Sequence, residues 1–297
     1  MSTTEHNFEP MTTGMVLDRT LHLYIENFLL MVGLSAILNV PILLISLIFS
    51  AGATPTMKWT GATAAALVIG GILFLLATFI VAPMIAGATA LAVSDIYMGR
   101  NASAGTVLAA AWRKLWTLLK TQIVVGLMII GVMLLSAIAL GIVAGIFSLV
   151  SPVFAVTSMI LGFLAITVVV IQLFVSYALI APIVMIERSD RGGEIRTRSW
   201  RLVEGHRWKV FFVFVILVLL QLLISGGILG IQLSATAGIG SGVASIISSV
   251  LSGIASILLT PLSAIAVTLL YYDFRIRKEG FDLEMLSQSL GETATDA

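Results

Sequence analysis

Apolar residues in this chain run in six unbroken blocks, each clear of Asp, Glu, Lys, Arg and His, and the charged residues gather between alternate blocks. The blocks cover about residues 28–49, 64–93, 123–150, 153–186, 210–233 and 243–272. The shortest of them, at 22 residues, makes a helix of roughly 33 Å, enough to cross the hydrocarbon of a bilayer. Within each block the apolar residues are continuous rather than alternating, which excludes a β-barrel. In lipid every backbone N–H and C=O must be satisfied within its own segment, which leaves helices. The longer blocks predict tilt or protrusion.

A shorter amphipathic stretch precedes every second block. Across Gly14–Asn27, Leu17, Leu21, Tyr24 and Phe28 form an apolar stripe, with Asp18, His22 and Glu26 on another. Across Ser103–Thr121, with Ser103 as N-cap, Val107, Leu108, Ala111, Leu115 and Leu118 oppose Arg113, Lys114 and Lys120. Across Glu194–Trp208, Ile195, Leu202 and Val203 oppose a basic side. Each return block also holds one proline, Pro83, Pro182 or Pro261, expected to kink its helix. These features predict an all-α integral membrane fold of six transmembrane helices. They fall in three hairpin units, each led by a helix suited to the headgroup layer. Residues 14–275 form a single membrane domain, between a disordered tail at 1–13 and a cytoplasmic tail at 276–297.

Charge sets the expected orientation. Arg19, then Arg100, Arg113, Lys114 and Lys120, then Arg188, Arg191, Arg196, Arg198, Arg201, Arg207 and Lys209, then Arg275, Arg277 and Lys278 share one side of a six-span chain, leaving Lys58 alone on the other. The positive-inside rule puts that side, and both termini, in the cytoplasm. Trp112, Trp116, Trp200 and Trp208 lie near span ends on the same side, as interfacial aromatics do. The two basic connections each carry +3 (four basic against Asp95, and seven basic against four acidic), whereas both terminal segments carry −3. The connections therefore favour anionic lipid, with Arg196, Arg198, Arg201, Arg207, Lys209, Arg113 and Lys114 as headgroup candidates. A solvated, orientation-setting belt explains the same charges, as does cover by the acidic termini.

Composition removes several function classes. Hydrophobic residues make up 59% and charged residues 10%, against about 25% charged in soluble domains. A net charge of +1 argues against nucleic acid as a partner. With no cysteine, thiolate catalysis, disulfides and Cys-based metal sites are excluded. Residues 1–27 lack the apolar core of a cleavable signal peptide, so the first block is expected to act as an uncleaved anchor.

Four stretches carry a resemblance to a known family: Gly14-Met-Val-Leu-Asp-Arg19 with His22-Leu-Tyr24 and Asn27-Phe28; Ser94-Asp95-Ile-Tyr97-Met-Gly99-Arg100; Ser199-Trp200-Arg201-Leu202-Val203-Glu204-Gly205; and Pro261 through Tyr271-Tyr-Asp273-Phe-Arg275-Ile-Arg277 to Glu284. Together they resemble prokaryotic proteins named for the membrane domain of glycerophosphoryl diester phosphodiesterase. The resemblance implies a six-helix membrane fold, generally without an assigned activity. The phosphodiesterase of that name resides in a separate soluble domain that binds a divalent metal. Only 25 residues follow the sixth block, so the enzyme name is not expected to carry over.

Other chemistry finds little support. Asp18, His22 and Glu26 share a helix face but fit an ordinary polar surface as well as a metal site. His6, His22 and His206 lie outside the blocks, so no histidine stands at depth to activate a serine, and Gly238–Gly242 reads as an outer turn. Ion coupling normally places ionisable groups inside a bundle; here only amides such as Asn39, Gln172, Gln221 and Gln232 are available. No Walker loop, dinucleotide fingerprint or metal-ligand spacing occurs, so no enzyme, cofactor or metal is expected.

In the sixth block, Ser241, Ser245, Ser249, Ser252 and Ser256 form one small-polar stripe. Gly141–Gly145 and Gly226–Gly230 provide small-residue seams. Stripe and seams read either as close helix packing or as a groove for an amphiphile. Two functions remain: a membrane scaffold or accessory subunit that holds anionic lipid or a partner protein, or a passive conduit or lipid translocator working through the serine-lined span.

Overall fold

The computed structural model describes residues 11–52, 60–187 and 191–280. Lys58, Arg188, His6 and most of both expected tails lie outside the described residues. Among the described residues the regular structure is all helix: α1 (Thr13–Glu26), α2 (Phe28–Gly52), α3 (Gly61–Tyr97), α4 (Ala104–Ser148), α5 (Pro152–Ser176), α6 (Ile180–Ile186), α7 (Gly192–Val203), α8 (Arg207–Ile239) and α9 (Ser241–Glu279). Six stretches are long and apolar enough to cross a membrane, one of them formed by α5 and α6 together. The chain is a multi-pass membrane protein.

Local chemistry accounts for several helix boundaries. Thr12 caps α1 by accepting from the Met15 N–H at 3.3 Å. Thr60 and Thr63 form a reciprocal capping box at the start of α3. Pro152 opens α5 at its first position, where a missing N–H costs nothing. Gly240 is the single residue between α8 and α9, at φ 84° and ψ 153°, a conformation open essentially to glycine alone. The expected outer loop at 238–242 is therefore one hinge residue.

Two expectations about continuity are corrected. The amphipathic stretch at 103–121 is not a separate interfacial helix; it runs straight into the third span as the 45-residue α4. Every residue from 104 to 148 is a tolerable helix former and none is proline, so nothing stops propagation. The fourth span, by contrast, is interrupted at residues 177–179. Pro182 has no N–H to donate to the Ala178 carbonyl, and the helix resumes only at Ile180. Pro83 and Pro261 sit inside unbroken helices, as does Pro41.

Buried side chains concentrate at one end of the bundle. The main core joins Val16, Met31, Ala92, Ala111, Ile195, Val210, Ile265 and Phe274, from seven different helices, with Leu179 of the break between α5 and α6. Toward the other end, side chains such as Leu75, Leu135, Leu164 and Leu223 point outward at 55–75% exposure. Lipid tails are as apolar as leucine, so this half gains nothing by collapsing further. α9 is the central element, packing on α2, α8, α3 and α1, while α5 rests mainly on α4.

The small-residue seams are not where the helices approach. A Cβ built on Gly141, Gly145, Gly226 or Gly230 meets nothing within 4 Å. The close approaches are Gly253 to Leu43 across α9 and α2, where a Cβ would lie 2.4 Å from Leu43 Cδ1, and Gly162 to Leu140 across α5 and α4.

Candidate functional site

The charged end is built on two carboxylate-centred networks. Asp273, on the last turns of α9, is fully buried. It accepts from Lys209 Nζ at 2.5 Å, from Arg277 Nε at 3.0 Å and from the Met11 backbone N–H at 2.6 Å. Lys209 and Arg277 also donate to the Met11 carbonyl, at 2.6 and 2.7 Å. One side chain thus ties the chain entering α1 to the start of α8 and the end of α9. Beside it the Tyr97 and Tyr272 rings stack at 5.1 Å, Tyr272 Oη donates to Ser94 Oγ at 2.8 Å, and Arg19 lies 5.2 Å over Tyr97.

The second network centres on Arg198 of α7. It donates to Glu187 from Nε at 3.1 Å and from Nη2 at 3.0 Å, and also reaches Glu279 of α9, from Nη2 at 2.8 Å. Burial opposes its charge, but the hydrogen bonds to Glu279 and Glu187 outweigh that effect and hold its pKa above the ordinary guanidinium value. Tyr271 Oη donates to Glu187 at 3.0 Å, and Arg275 donates to Glu279 at 3.2 Å. Lys278 donates to the Arg201 and Glu204 carbonyls, closing the C-terminal end of α7.

The predicted headgroup candidates therefore divide. Arg198 and Lys209 are committed to carboxylates. Arg207 stacks 4.3 Å over the Trp200 ring. Arg113 and Arg201 are exposed and Arg196 is half-buried; none of the three has a carboxylate partner among the described residues. Lys114 sits half-buried on α4. The sequence reading passed over Asp273, although a string of tyrosines followed by an acid at the end of a span is a signal for a buried charge at the interface.

The serine stripe forms one wall of a mixed polar and apolar cavity of about 350 Å³ between α9 and α2, which Ile42, Leu43, Phe74 and Gln232 also line. Ser245, Ser249, Ser252 and Ser256 face it together with Ser248, Asn39 and Ser46, whereas Ser241 is not on its wall. Most of these hydroxyls donate back to their own helix, as Ser249 Oγ does to the Ser245 carbonyl at 2.9 Å. Asn39 Nδ2 bonds Ser35 at 3.0 Å. Elsewhere His22 pairs with Glu26 at 3.1 Å without Asp18. No three His, Cys, Asp or Glu side chains gather among the described residues.

A family model described only as a domain of unknown function, DUF7847, matches residues 29–274. The chain belongs to that family. No curated protein and no solved structure matches it. The DUF7847 region contains Asp273, Lys209, Arg198 and the serine cavity, whereas α1, Met11, Arg277 and Glu279 fall outside it.

Proposed function

We propose that this DUF7847 chain is a non-enzymatic scaffold or accessory subunit of a prokaryotic cytoplasmic membrane, holding anionic lipid or a partner protein against its basic face. In this reading both termini are cytoplasmic and the spans form three successive hairpins, supported by the packing of α2 on α3, α4 on α5 and α8 on α9. The likeness to the phosphodiesterase membrane domain is then kinship of the membrane-embedded part alone. The observation that carries the lipid reading is the division of cations. Internal carboxylates fix Arg198, Lys209 and Arg277, yet Arg113, Arg196 and Arg201 remain unneutralised on the same face. Each such charge near an anionic surface contributes about 1 kcal/mol.

The test is selectivity for spin-labelled lipid in reconstituted protein. Phosphatidylglycerol should be preferred over phosphatidylcholine, and the triple variant R113Q/R196Q/R201Q should abolish the preference. Equal association of both lipids with the wild type overturns the reading. Orientation is checked on the cysteine-free chain by single cysteines at Arg201 and Thr236, of which only the first should be shielded from an impermeant external reagent.

The serine-walled cavity along α9 favours a second reading, a conduit or translocator for an amphiphile. Lipid scrambling or solute flux in liposomes holding only this protein would support it, with loss in a Ser249→Leu/Ser252→Leu variant.

A further inference from the structure

Two cavities flank the end of α5, Phe174 lining one and Tyr177 the other. One is an open apolar groove of about 670 Å³, walled by Phe174 of α5, Phe211, Phe214 and Val218 of α8, and Leu259 of α9. The other, about 490 Å³, lies at the charged end and is walled by Tyr177, Gly193, Arg196, Thr197 and Trp200.

Helical register relates them. Phe174 and Tyr177 stand three residues apart at the end of α5, and Arg207, Phe211, Phe214 and Val218 follow at spacings of four, three and four on one face of α8. Contacts fix the arrangement. Phe174 meets Phe214 edge-on at 5.5 Å, Tyr177 lies 6.0 Å from Trp200, and Ser199 Oγ donates to the Ser176 carbonyl at 2.8 Å, docking α7 on the end of α5.

The charges around this junction are unbalanced. Glu187 is taken by Arg198 and Glu194 by Arg191. Arg196 lines the cavity at the charged end with no carboxylate partner among the described residues. The Nε of Arg207, whose guanidinium covers Trp200, is buried and has no hydrogen-bond partner among the described residues. Arg207 walls neither cavity but covers Trp200, which walls the second; an unmet buried donor on a cation is costly, and an anionic oxygen seated against it would relieve that cost.

We propose that these two cavities form one site for an anionic phospholipid, its phosphate beside Arg196 and Arg207 and one acyl chain along the Phe174–Phe214 groove. The proposal rests on the anionic-lipid reading above and narrows it from a charged face to a defined seat. A free anion needs only the cavity at the charged end; the apolar groove beside it is what a tail would occupy. The groove supplies fit rather than hydrophobic driving force, because bulk lipid is equally apolar. Selectivity therefore rests on the phosphate.

The test uses full-length protein in nanodiscs of equimolar phosphatidylglycerol and phosphatidylcholine, released and weighed by native mass spectrometry. Wild type should retain one phosphatidylglycerol. Arg196→Gln should lower that retention about fivefold, Arg196→Lys should largely restore it, and Val218→Trp, which fills the groove from a half-exposed position, should lower it as much as Arg196→Gln. In the wild type, phosphatidylglycerol carrying a diazirine on its acyl chain should label peptides bearing Phe174 and Val218. Loss with Arg196→Gln but none with Val218→Trp, or labels scattered over all spans, overturns the seat while leaving the charged-face reading intact. The labelling result decides alone if Val218→Trp does not fold. Equal retention of the two lipids by wild type overturns both.

Discussion

Replacing Asp273 with Asn tests whether the buried carboxylate organises the charged end. The substitution keeps size and shape but removes the negative charge that Lys209 and Arg277 share at 2.5 and 3.0 Å. Breaking a buried ion pair from one side typically costs about 3–5 kcal/mol, because the remaining charge stays desolvated. Two features favour the lower end. The Arg277 side chain is 29% exposed and can hydrate, and the Met11 carbonyl still accepts from both cations. The Lys209 side chain, at 11%, cannot turn to water as readily. We expect a loss of about 3 kcal/mol, roughly a hundredfold in the unfolding equilibrium. The assay is reversible unfolding in mixed micelles, followed by circular dichroism across a denaturing-detergent titration. Removing the stranded lysine as well, in Lys209→Met/Asp273→Asn, should recover about half of the loss, since a pair removed together leaves less charge buried. An Asp273→Asn protein within about 0.5 kcal/mol of wild type, or a double variant no better than the single, would refute the reasoning.

The same titration checks three further changes. Gly240→Ala forces a side chain into φ 84°, ψ 153° and should cost about 1–3 kcal/mol. Gly253→Val places new atoms against Leu43, where even a Cβ would lie only 2.4 Å away, and should cost about 1–3 kcal/mol; Gly226→Ala, facing open space, should be neutral or stabilising by up to about 1 kcal/mol. Tyr272→Phe removes the 2.8 Å bond to Ser94 and leaves that buried hydroxyl without its donor, a loss of about 1–2 kcal/mol.

What the residues disclosed in advance, and what they hid, follows from the range of each interaction. Six spans were legible because lipid imposes a local rule: an apolar run of membrane length satisfies its own backbone, whatever its neighbours do. Helix joins depend on one or two residues and were half legible. The span holding Pro182 breaks just before it, where the Ala178 carbonyl loses a donor, whereas Pro83 and Pro261, which remove the same kind of bond, sit in unbroken helices. The glycine spacing at 141–145 and 226–230 pointed to packing seams that face open space, since a small residue permits close approach without supplying a partner. Bonding by the charged side chains was the least legible, because it joins residues far apart in sequence: Lys209 to the Asp273 carboxylate, and Arg277 to the Met11 carbonyl. Counting Arg198 and Lys209 with Arg196 and Arg201 treated every cation as equally available. The structure separates them by one criterion, the presence of a fixed carboxylate within reach. The cations it leaves unneutralised among the described residues are those whose charge still acts outward, so a ligand of opposite charge is to be sought at Arg196, Arg201, Arg207 and Arg113 before Arg198, which Glu187 and Glu279 balance internally.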